Sequence, residues 1–348
     1  MSTLTLLRSF DLVGLVGLGL AMVVVAPAAA QPAPSAPPAP TPLRVIGFDG
    51  GHNLAIWAAQ RQGFFEAAGV RVVLSFTPSS AALVSGMFDG KYDIAALAID
   101  NVIAYQEGQG EARIADTPDL FAFLAVDDGL LALAARGPVK RIADLKGKTL
   151  SVDAMTTGFA FVLRELIQRA GLAASDVTLV SAGGTPNRYR ELVAGKHDAT
   201  LLRTPYELLA KDRGMHLLAA DVGPYLGTVC AARRSWARDH DAALVGFIRG
   251  YLAGLAWAAD PKNREIAEAI LVAQLRDMTP ALAKRSYDDL FAAHAGLVRD
   301  GALDPARVRT VLGLRSKFGE PKKTLDDPAK YVDAGYRDRA LAAPIPPK

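Results

Sequence analysis

The 348-residue chain has one cysteine, Cys230, which excludes an intrachain disulfide and any cysteine-based metal cluster. Cys230 reads as a small buried hydrophobe, and stability has to come from packing. Neither charge sign dominates: 39 Lys and Arg face 36 Asp and Glu, a net +3 too small and scattered to imply a nucleic-acid partner. Long apolar runs are scarce too. The run Leu12 to Ala26 is fifteen residues, short of the roughly 20 that a membrane helix needs. Arg8 precedes it and Ala28-Ala29-Ala30 follows, so residues 1–30 read as a secretory signal peptide, with an uncleaved anchor as the other reading. No cysteine follows directly to carry a lipid. The expectation is a soluble, non-lipidated periplasmic protein.

Residues 31–42 hold six prolines among alanines and read as an extended linker. The remaining chain of about 300 residues exceeds the size at which one hydrophobic core stops growing, so two lobes are expected. Gly90-Lys91-Tyr92-Asp93 returns as Gly195-Lys196-His197-Asp198, each copy between a helical pattern and a short apolar strand. Two versions of one α/β unit follow from this echo. Strands are expected at 43–48, 70–76, 94–99, 120–126, 130–135, 149–152, 177–180 and 227–232, with helices almost throughout thereafter. The strands at 120–126 and 227–232 read as the two crossings. Lobe one is then 43–127 plus 225–348, with the C-terminal helices packed on it, and lobe two is 128–224.

Helix starts are marked by capping residues. Ser79 and Ser80, Thr185, Thr204 with Glu207, and the four pairs Asp260-Pro261, Thr279-Pro280, Asp304-Pro305 and Asp327-Pro328 all have this form. Arg188 and Arg190 flank one such start and read as a solvated helix face.

The segment from Asp49-Gly50-Gly51-His52-Asn53-Leu54 to Gly63-Phe64-Phe65-Glu66-Ala67-Ala68-Gly69-Val70 resembles the opening motif of substrate-binding proteins from nitrate, sulfonate and taurine ABC importers. That family also holds thiamine-pyrimidine synthases. The resemblance continues through 90–98, 142–148, 198–205 and 233–259, though Ala55 stands where many relatives carry proline and Arg203 where uncharged residues are common. It implies an α/β fold of the two-lobed, type II periplasmic-binding kind. It further implies a monomer without cofactor or metal that captures a small organic ligand, anionic or planar, by hinge closure and delivers it to a membrane permease and its ATPase. An enzyme of the pyrimidine-synthase kind is the alternative, weakened by the missing cysteine-rich motif. A ligand sensor feeding a membrane receptor is a third reading.

Ligands of open parallel sheets bind at strand ends and helix starts, where backbone N–H groups point outward. In lobe one these are Asp49, Gly50, His52, Asn53, Thr77, Ser79, Ser80, Asp100 and Asn101; in lobe two Thr156, Thr157, Gly158, Phe159, Thr185 and Arg203, with Tyr225 near the second crossing. Arg203 offers a donor fork for a carboxylate or sulfonate, the alternative being a salt bridge to Asp49 or Asp100. His52 reads as a donor or proton carrier, or as a locally bonded turn residue. Trp57 and Phe159 read as stacking rings or as core. The contrast between Asp100-Asn101 and Arg203-Thr204 is expected to set ligand choice.

Overall fold

Alternating apolar runs and glycine turns give ten strands in the computed structural model, which describes residues 39–343. The expected signal segment and linker residues 31–38 lie outside the described residues. The strands are β1 Thr41–Gly47, β2 Val70–Phe76, β3 Ile94–Ala98, β4 Leu120–Ala125, β5 Ala132–Ala135, β6 Thr149–Val152, β7 Thr178–Ser181, β8 Ala199–Leu202, β9 His216–Ala219 and β10 Thr228–Arg233. They form two five-stranded sheets of orders β2-β1-β3-β10-β4 and β7-β6-β8-β5-β9. In each, three parallel strands are followed by one antiparallel strand, β10 or β5. The two sheets therefore share one topology, and each takes its antiparallel strand from the chain as it arrives from the other sheet.

The repeated tetrapeptide has a structural cause. Gly90 and Gly195 turn the chain with φ of 68° and 77°, which glycine adopts without steric cost. Asp93 Oδ2 then accepts the Arg44 N–H at 2.7 Å, and Asp198 Oδ2 accepts the Thr149 N–H at 2.9 Å. Both bonds reach back 49 residues. Each clips the start of the third parallel strand, β3 or β8, to the first parallel strand of its sheet, β1 or β6.

Some boundaries differ from expectation. β1 starts at Thr41 and takes in Pro42; β3 covers β1 only from Val45 onward, so the missing proline N–H leaves no ladder bond open on that side. β9 was not anticipated from its short sequence.

Helices α1 Leu54–Gln62, α2 Phe64–Ala67, α3 Ser80–Phe88 and α4 Ile99–Gln106 follow strands of the first sheet, and α5 Gly158–Arg169, α6 Thr185–Val193 and α7 Tyr206–Asp212 those of the second. The chain then runs through α8 Arg234–Asp239, α9 Asp241–Ala259, α10 Arg264–Gln274, α11 Pro280–Leu290, α12 Pro305–Phe318 and α13 Gly335–Ala342. α9 is long and apolar enough to cross a bilayer by composition. Here it is a core helix: Leu244, Phe247, Tyr251 and Leu255 are buried, and it packs on α1, α2 and α13. Asp260, Thr279, Asp304 and Asp327 all cap as expected, each side chain accepting a backbone N–H two or three residues on.

Two expected caps are corrected. Gly184 takes the cap position of α6, which places Thr185 inside the first turn. At α7 the cap position falls on Pro205, with a turn from Arg203 O to the Tyr206 N–H leading into the helix; Thr204 makes no capping bond.

The apolar interior is continuous between the sheets: Ile46, Leu97 and Ala122 of the first belong to the same buried cluster as Leu133, Leu150 and Leu201 of the second. α12 touches both α4 and α5, so the C-terminal region contacts helices of both sheets.

Candidate functional site

The carboxyl ends of both sets of parallel strands face one another, and the loops there enclose a cavity of ≈ 40 Å³. From the first sheet come Phe48, Asp49 and His52 after β1, Ser80 after β2, and Asp100 and Asn101 after β3. From the second come Asp153, Thr157 and Phe159 after β6, Gly184, Thr185 and Arg188 after β7, and Arg203 after β8. Thr228 of β10 completes the wall.

Hydrogen bonds draw the two sets of loops together. Asp153 Oδ2 accepts the Ser80 N–H at 3.2 Å and its hydroxyl at 2.5 Å. Gly184 N–H donates to Pro78 O at 3.0 Å, Gly51 N–H to Thr204 O at 3.1 Å, and the Tyr206 hydroxyl to Asp49 Oδ2 at 3.3 Å. Gly158 N–H donates to Asp100 Oδ2 at 2.5 Å. A Cβ on residue 158 would sit 2.4 Å from Asp100 Cγ, so only glycine admits this approach.

The charges that the sequence offers to a ligand are mostly consumed inside the protein. Arg203 pairs with fully buried Asp127 and donates Nη1–H to Thr228 Oγ1 at 2.8 Å. It is thus a salt-bridging residue, but its partner is Asp127 rather than Asp49 or Asp100. Burial pushes the Asp127 carboxyl up more than any one neighbour pulls it down, yet the Arg203 charge and the other groups around it, hydrogen bonds from Thr228 and the Gly129 N–H among them, together leave Asp127 below the usual range. Asp100 takes Arg315 Nη1 at 3.1 Å, and Arg315 also donates to Gln109 Oε1 at 3.0 Å and to Thr156 O. Burial still raises Asp100 to about 6.

Arg188 is different. It is 2 % exposed, its Nη2 donates to Thr185 Oγ1 at 3.0 Å, and its Nε and Nη1 have no partner. Among the described residues it forms no ion pair. Burial lowers its pKa to about 10, which leaves it a cation at neutral pH. The solvated-face reading is corrected for Arg188 and holds for Arg190, which is exposed. The signal was present: Thr185, Arg188, Tyr189 and Leu192 share the buried stripe of α6 at helical spacing.

His52 is buried with both ring nitrogens unpartnered. Burial, with the Arg203 charge adding to it, holds its pKa near 3, so the ring is a neutral donor and acceptor.

A family model described as NMT1/THI5 like matches residues 52–264, well over half of the chain. The chain belongs to this family. Solved structures share its fold at low identity. The periplasmic nitrate-binding protein NrtA from Synechocystis PCC 6803 is 11 % identical, with 87 % of this chain and 89 % of that one covered at a TM-score of 0.74. The alkanesulfonate-binding protein SsuA from Xanthomonas axonopodis pv. citri, bound to MOPS, is 18 % identical over 85 % and 99 % of the two chains, with a TM-score of 0.68. The desulfurization enzyme DSZB is 13 % identical over 86 % and 99 %, at 0.59. The fold is that of periplasmic binding proteins. Among curated proteins no match was found.

In this NMT1/THI5-like chain, the structure brings Asp49, His52, Ser80, Asp100, Asn101, Thr157, Phe159, Thr185 and Arg203 together at the cavity. The other expected residues stand behind it. Asn53 Nδ2 donates to Phe48 O at 2.8 Å and Gly50 O at 2.9 Å, fixing the turn that presents His52. Thr77 bonds Ser79 O, and Ser79, not Ser80, caps α3. Thr156 donates to Glu111, Gly158 meets Asp100, and Tyr225 packs its ring 6.4 Å from that of Phe159. Trp57 is core, edge-on to Phe76. Phe48, Ala96, Ala98, Asp153, Arg188 and Thr228 are the lining side chains that the sequence reading missed.

Proposed function

We propose that this protein is the solute-binding component of an ABC importer. It is exported to the periplasm, and as a monomer it holds a small organic anion between its two sheets and passes it to a membrane permease. The observation that carries the reading is Arg188. A buried guanidinium that makes no ion pair and leaves Nε and Nη1 unbonded is penalised by several kcal/mol, and an anion entering the cavity reduces that penalty while bridging loops of both sheets. Binding energy and closure are thereby coupled, as in hinge-closing receptors. Size sharpens the class. The ≈ 40 Å³ cavity has room for about three water-sized groups, which suits a small acid or the polar head of a larger one better than an aromatic ring. Likeness in fold to nitrate- and alkanesulfonate-binding proteins supports the same reading.

An enzymatic reading draws on the fold shared with DSZB. His52 is the proton carrier it would need, but a ring with a pKa near 3 is neutral at pH 7 and a weak base. Cys230 lies in β10 outside the cavity, its thiol pushed up by burial.

Mass spectrometry of ligand released from gently purified protein is expected to find a small acid, and the Arg188→Ala protein is expected to carry none. An uncharged ligand, or equal retention by the variant, would overturn the proposal.

A further inference from the structure

Arg188 accounts for an anion but not for the oxygen that faces the same space. Asp153 Oδ2 accepts both the N–H and the hydroxyl of Ser80, whereas its Oδ1 is buried and has no partner. Asp153 and Arg188 line one cavity of ≈ 40 Å³ and feel one another's charge. A carboxylate oxygen can only accept. A ligand that is all acceptors would satisfy Arg188 and leave Oδ1 stranded, at the cost of burying two anionic groups side by side. A ligand N–H or O–H satisfies it, and the small cavity requires that donor to lie within a few bonds of the anionic group.

We propose that the ligand is an acid bearing a hydroxyl or amino group close to its anionic group, with the anion on Arg188 and the donor on Asp153 Oδ1. This rests on the anion reading above and makes Asp153 the residue that separates such acids from plain anions. Neutral His52, which lines the same cavity with both ring nitrogens unpartnered, is a further partner for the ligand's remaining polar atoms.

Calorimetric titration of the mature protein with propionate, lactate and alanine tests the assignment. Lactate or alanine is expected to bind at least ten-fold more tightly than propionate, and whichever of the two is preferred identifies the donor as hydroxyl or ammonium. In Asp153→Ala that preference is expected to collapse to within two-fold. Ser80→Ala, which loses the hydroxyl bond to Oδ2 but keeps the backbone N–H bond and leaves Oδ1 in place, is expected to weaken all three acids together and keep the preference. Equal affinity for the three acids in the unaltered protein overturns the donor assignment and leaves the anion reading standing; so does a preference that survives Asp153→Ala. Binding of no acid, or binding unaffected by Arg188→Ala, overturns both.

Discussion

At the scale of single residues, chemistry in this protein is decided by which buried groups are left without partners. Asp100 and Arg203 stand at equivalent strand ends and carry the opposite charges expected to set ligand choice, yet Arg315 and Asp127 absorb them. Those partners are 215 and 76 residues away, distances that no local pattern reveals. Arg188 and Asp153 inherit the role because each keeps a buried polar atom free. Glu207 is a further buried group at odds with its surroundings: Oε2 has no partner, and burial, with the Asp289 charge adding to it, raises the carboxyl to about 7. The folded value lies above the ordinary 4.5, so the contribution is present below pH 4.5 and lost as pH rises through 7. Replacing the group by a neutral amide removes that loss. The stability of Glu207→Gln relative to the unaltered protein is expected to increase by about 2 kcal/mol between pH 5 and pH 8, read from urea unfolding at the two pH values. A pH-independent difference would show that the carboxyl ionises normally.

At the scale of elements, local physics was legible wherever a feature closes within a few residues. All four Asp-Pro and Thr-Pro starts cap their helices, since the cap bond spans two or three positions and proline suits the first turn. Asp304 Oδ1 accepts the Ala306 N–H at 2.8 Å at the start of α12. Asp304→Ala is expected to cost about 1 kcal/mol, measured by thermal or urea unfolding; no loss would mean that the helix end is solvated equally well without it. The same motif misled at Thr204, where the turn formed with Arg203 and Tyr206 shifts the helix start by one residue. β9 escaped notice because four residues, His216 to Ala219, carry too little periodicity to separate strand from loop.

At the scale of the whole molecule, the tetrapeptide echo gave away the architecture because it records the same event twice: an aspartate fastening the third parallel strand of each sheet to the first parallel strand. What it does not convey is how the two units are held face to face. Buried Arg315 does much of this, since from α12 it reaches Asp100 after β3 and the Thr156 carbonyl before α5. Asp100 in turn receives the Gly158 N–H, so one carboxylate joins the first sheet, the second sheet and the C-terminal helices. Removing one partner of a buried pair strands the other, so Arg315→Met is expected to cost about 3–5 kcal/mol. Asp100→Asn added to it removes the stranded charge and is expected to restore part of that loss, giving a clear non-additivity in a double-mutant cycle read by urea unfolding. Strict additivity would mean that the two side chains act separately, and that α12 braces the two sheets through apolar packing alone.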